Sequence, residues 1–104
     1  MISLPDELDM MVFEDRAIAT LWPHIDDGDR SMAAGDIAAG EFVFALAACI
    51  QGCYLNGYRI PEDYLQELEE YADWWPEDTV EHMLLKRYIA RVRSLDNHPA
   101  PTQA

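Results

Sequence analysis

Apolar side chains recur along this chain at intervals of three and four residues, and strict alternation never runs beyond three or four positions. That is the period of amphipathic helices rather than of strands. Ser3 can cap a first helix, with Pro5, Asp6 and Glu7 in its opening turn, where proline is tolerated and acids suit the dipole. Leu4, Leu8, Met11, Ile18, Leu21 and Trp22 supply its apolar stripe, Asp15 interrupts the stripe, and Pro23 ends the helix near Leu21. "HIDDGDR" then reads as a turn. Residues 31–40 are rich in alanine but hold Gly35 and Gly40, which predicts a short helix or a single turn.

From Glu41 the pattern strengthens. Phe42, Val43, Leu46, Cys49, Ile50, Cys53 and Tyr54 make a helix apolar over much of its circumference, which predicts a central position, and Asn56-Gly57 stops it. Pro61 opens the next helix, whose buried stripe is Tyr64, Leu65, Leu68, Tyr71, Ala72 and Trp75, and Pro76 closes it. A last helix starts at Asp78 or Thr79, with Asp78 and Glu81 at capping-box spacing. Its apolar face is Val80, Leu84, Leu85, Tyr88, Ile89, Val92 and Leu95. The expectation is an all-α, compact bundle of four principal helices, or five, with short turns. Residues 1–96 form one helical domain and 97–104 a flexible, proline-containing C-terminal tail.

Charge changes the picture next. The chain has 104 residues, 20 acids against seven bases and a formal net charge of −13. Such a balance argues against direct binding of nucleic acid, which needs a basic face, and against anionic membranes. It favours cationic partners. No run approaches the length of a spanning helix, and the opening residues lack the basic region of a signal peptide, so a cytoplasmic location is expected. Cys49 and Cys53 lie four apart on one helical face, where a disulfide would strain the backbone; buried reduced thiols are expected. The acids concentrate before Met83, whereas Lys86, Arg87, Arg91 and Arg93 make the last helix basic and able to lie against the acidic helix before it.

Reactive chemistry is hard to find. None of His24, His82 and His98 has a nucleophile signature around it, and His82 reads as a surface residue. "AGDIAAGE" lacks the strand and lysine of a phosphate loop. "DDGD" at 26–29 places its glycine too early for a calcium loop, and Cys49 and Cys53 have no zinc-spaced partners. No cofactor, no metal and no enzymatic activity are expected.

Binding is the remaining class. "EDYLQELEEYADWWPED", residues 62–78, holds eight carboxylates and no lysine or arginine. Like charges one helical turn apart cost roughly 0.2–0.5 kcal/mol per pair, and Asp63 with Glu67 or Glu69 with Asp73 are not spaced to avoid that. An acidic face edged by tryptophan suits a basic protein surface, because aromatics anchor and charges steer. The expected partner-binding residues are Glu62, Asp63, Glu67, Glu69, Glu70, Asp73 and Trp74, with Asp26, Asp27 and Asp29 as a second patch.

Over residues 40–71 the chain resembles small helical bacterial immunity proteins, in particular the Maf-type and the colicin- or pyocin-type families. The matching residues are Gly40 and Glu41 opening an apolar helix, Ala45 and Leu46 within it, and Ile60, Pro61 and Glu62 starting the next. The resemblance implies a protein that neutralises a basic bacterial toxin, often a nuclease, by occluding its active site or an exosite. Two other functions fit the same acidity: a DNA mimic, such as a phage-encoded inhibitor of a nucleic-acid-binding protein, and a small oligomeric scaffold joined through Trp74, Trp75 and Tyr54.

Overall fold

Helix ends in this protein follow from local chemistry. The computed structural model describes residues 7–97, and within them lie five α-helices and no strand: α1 (Glu7–Leu21), α2 (Asp27–Ala38), α3 (Phe42–Leu55), α4 (Glu62–Ala72) and α5 (Val80–Asn97). A 3-10 turn, Trp22–His24, joins α1 to α2. Helices α2 and α3 both end in a glycine with positive φ, Gly40 at 78° and Gly57 at 70°. Each end closes with the paired bonds of a Schellman motif: Glu41 N–H to the Asp36 carbonyl with Gly40 to Ile37, and Tyr58 to Cys53 with Gly57 to Tyr54.

Two expectations are corrected here. The segment read as a turn, "HIDDGDR", contains the start of α2. Asp26 has extended backbone and its Oδ1 accepts the Asp29 N–H at 2.9 Å, while Asp27 and Asp29 fill the first turn. That acid run is an N-cap with dipole-compensating neighbours, and α2 runs for 12 residues in spite of its glycines. On α1, Leu8 is 67% and Met11 48% exposed. The buried face runs instead through Glu14, Ala17, Ile18 and Leu21, with Met10 and Phe13 packed at its margin. An acid in the middle of that face disguises it as polar.

The start of α5 also resolves. Thr79 is the cap, its Oγ1 accepting the His82 N–H at 3.1 Å. His82 is half-buried rather than a plain surface residue: its Nδ1 lies 3.0 Å from the Ala72 carbonyl, which can only accept, so Nδ1–H donates and closes the end of α4. Ser3 and Leu4 lie outside the described residues, as does the tail from 98 onward; at 97 the chain is still in α5.

Helix α3 is central. It buries Val43, Ala45, Leu46, Ala47, Cys49, Ile50, Gly52 and Cys53, and packs against α1, α2 and α5. Cys49 and Cys53 are free thiols, and burial pushes both up to about 12, so they remain protonated and inert. Gly52 marks the closest approach: a Cβ there would meet Ile25 Cγ2 at 2.8 Å and the Asp29 carboxylate at 3.0 Å. Gly52→Ala is expected to destabilise the fold by about 1–3 kcal/mol through overpacking, read as a lower urea midpoint with unchanged m-value. No helix among the described residues is long and apolar enough to cross a membrane.

Candidate functional site

Helix α4 sorts its side chains into three stripes, and the sorting follows from helical spacing. Leu65, Leu68, Tyr71 and Ala72 are buried, with Tyr64 at the margin. A second stripe, Glu62, Gln66, Glu69 and Asp73, faces α5. There Arg93 holds Glu62 through two bonds (Nε to Oε1 at 3.0 Å, Nη2 to Oε2 at 2.9 Å) and Glu69 Oε1 at 2.8 Å. Lys86 reaches Asp73 at 3.1 Å. The bonds from Arg93 hold the Glu62 carboxyl below its ordinary pKa, and the Glu69 and Glu62 carboxylates raise that of the guanidinium. Two cations of the last helix therefore hold the three carboxylates on this side of the acidic one and offset most of their charge.

The third stripe is Asp63, Glu67, Glu70 and Trp74. All four are exposed, and none enters an ion pair among the described residues. Asp63 accepts the N–H of Tyr64 at 2.9 Å, whereas Glu67 and Glu70 face solvent. Trp74 is 37% exposed, its ring set edge-on against Phe13 at 5.8 Å and Tyr71 at 5.6 Å. The ring is thus packed against two others while part of it stays open to solvent, as an anchor requires. Glu77 and Asp78 extend the exposed acid past the end of the helix.

The ten residues expected from the sequence accordingly fall into groups. Asp63, Glu67, Glu70 and Trp74 share one face. Glu62, Glu69 and Asp73 bind α5 and fix how α4 sits. Asp26, Asp27 and Asp29 lie together at the start of α2, each in a different setting. Asp26 caps the helix, and the N–H of Asp29 holds its carboxyl below the usual range. Asp27 is fully exposed, 3.4 Å from Arg30. Asp29 is half-buried beside Gly52 and accepts from Asn56 at 3.4 Å; burial, then the neighbouring Asp26, push its pKa up.

One pair escaped the sequence reading. Glu14 of α1 is 5% exposed, and the Tyr71 hydroxyl donates to its Oε2. Phe13 stacks on Tyr71 at 4.8 Å, which locks the two helices in register. The Trp75 indole N–H lies beside the same hydroxyl without reaching hydrogen-bond geometry. Desolvation raises the pKa of Glu14, opposed by the bond from Tyr71. The signal was present: an acid at the spacing of Met10, Ala17, Ile18 and Leu21 sits on the buried face, whereas Asp15 merely follows it. Among the described residues no group of three His, Cys, Asp or Glu side chains is placed to hold a metal ion.

Neither family models, curated proteins nor solved structures give a match to the chain.

Proposed function

We propose that this protein is an acidic inhibitor of the immunity or antitoxin kind, which neutralises a basic toxin in the cytoplasm by covering its active site or an adjoining exosite. The observation that carries the reading is the division of acid on α4. Arg93 and Lys86 hold the stripe toward α5, while Glu67 and Glu70, in no ion pair among the described residues, lie exposed on the face that carries Trp74. Solubility alone asks for no such separation. A partner's lysines or arginines, by contrast, would meet a carboxylate face that steers the encounter and an aromatic edge that is desolvated on contact.

The test is co-expression with the product of the neighbouring reading frame. That product is expected to arrest growth alone and to be tolerated when this protein is present. A harmless neighbour, or toxicity unrelieved by an equal level of this protein, overturns the reading.

A further inference from the structure

Between α1, the start of α3 and the start of α5 lies a pocket of about 400 Å³. Its walls are largely apolar, with Met10, Phe42, Val43, Phe44 and the ring of Trp75 among them. Among the described residues its charged groups are acids alone: Glu14 from α1, Glu41 from the turn before α3, and Glu81 from α5. These come from three separate elements, and among the described residues no lysine, arginine or histidine lines the space.

Glu14 is the informative member. Its carboxylate is buried on the pocket wall, and the Tyr71 hydroxyl is its one hydrogen-bond partner among the described residues. A carboxylate can accept about four hydrogen bonds, and the described residues supply one of them, from Tyr71. A glutamine would keep the bond from Tyr71 and avoid the desolvation of a charge. Retaining an acid where a neutral isostere serves the fold better is the mark of a binding residue.

We infer that this pocket is a binding site for an organic cation with an apolar body, an ammonium or guanidinium carried on an alkyl or aryl stem. The stem packs against Phe42, Val43 and Phe44, and the charge lies against Glu14 with Glu41 and Glu81 nearby. The face of Trp75 adds a cation–π surface. The volume falls within the range of small-molecule sites, roughly 300–1,000 Å³. This inference does not rest on the acidic face of α4 and stands or falls separately.

Titration with 2-phenylethylammonium, followed by the Trp75 indole and the amides of residues 42–44 in nitrogen-15 correlation spectra, tests it. Saturable shifts are expected at about 0.15 M salt, with a Kd of about 1 mM. The uncharged isostere 2-phenylethanol should bind at least about tenfold more weakly, as should the amine to Glu14→Gln. Glu81→Gln, a half-exposed position whose change leaves the core intact, should weaken binding about threefold. Asp15→Asn, an exposed acid outside the pocket, should change nothing. Equal binding of amine and alcohol overturns the inference, as does the absence of saturation or wild-type affinity in both glutamine variants. A parallel arm with N-acetyl-arginine amide identifies the source: tighter binding than the free amine makes the occupant a side chain of a protein partner, and weaker binding makes it a small molecule.

Discussion

Glu67→Lys combined with Glu70→Lys will slow association with the proposed toxin partner by about ten- to a hundredfold at low salt and leave the melting temperature almost unchanged. Both side chains are exposed and neither belongs to an ion pair among the described residues, so the fold loses no such contact; reversal even relieves repulsion from Asp63 and Asp73 one turn away. What changes is the field that the partner meets. Steering acts over the Debye length, about 10 Å at 0.1 M salt and 3 Å at 1 M. The wild-type on-rate should therefore fall steeply across that range, and that of the double variant should hardly move. Stopped-flow measurements at several salt concentrations give both slopes. A wild-type on-rate insensitive to salt, or one shared by the variant, would sink the role of this face. Glu69→Lys supplies the contrast. It sets a cation against Arg93, so its effect should fall on stability.

The same division explains why the chain carries so much acid without flying apart. Three of the six acids between Glu62 and Asp73 are held by two cations of α5, which leaves a narrow stripe rather than a diffuse cloud. Such a stripe gives orientation as well as attraction, because a partner feels a direction and not only a sum. Trp74, set edge-on against both Phe13 and Tyr71, stands at one end of that stripe.

How far the chain could be read depended on whether one physical rule acted alone. Helices α3 and α4 were legible because an apolar period and a glycine or proline stop agree at each of them. At α2 two rules competed. Gly28 and Gly35 weaken a helix, while Asp26, Asp27 and Asp29 start one, and the cap and dipole prevailed. At α1 the apolar count favoured Leu8 and Met11, yet α3 covers the face that holds Glu14. Periodicity ranks faces by hydrophobicity, and it mistakes the buried face when that face includes a hydrogen-bonded acid. The acidic stretch of α4 was plain in the sequence, and so was its chance of lying against α5. Which acids Arg93 and Lys86 take, and which they leave, depends on where α5 lies, and no local pattern encodes that. The pocket was invisible for the same reason: Glu14, Glu41 and Glu81 are brought together only by the fold.

Tyr71→Phe will cost the fold about 1–3 kcal/mol at neutral pH, because the ring survives against Phe13 while the buried Glu14 carboxylate loses its donor. Glu14→Gln should do the reverse and raise the urea midpoint at neutral pH, since the amide oxygen still accepts from Tyr71 and no charge is desolvated. The pH dependence fixes the sign. The folded protein holds the Glu14 carboxyl above its ordinary pKa, so the folded state binds the proton more tightly than the unfolded chain. The stabilisation from that proton is complete below the unfolded value, about 4.3, and is lost as pH rises through the folded one. Wild type should therefore match Glu14→Gln most closely in acid and fall behind it as the pH approaches neutrality. A gap independent of pH, or a glutamine variant less stable than wild type at neutral pH, would show that burial of charge is not what this position costs. The Tyr71→Phe penalty should shrink when combined with Glu14→Gln, where no charge is left exposed to the lost bond, and a double-mutant cycle measures that coupling. A Glu14→Gln protein that is steadier yet indifferent to amines would show an acid kept for what it binds, at the expense of the fold that holds it.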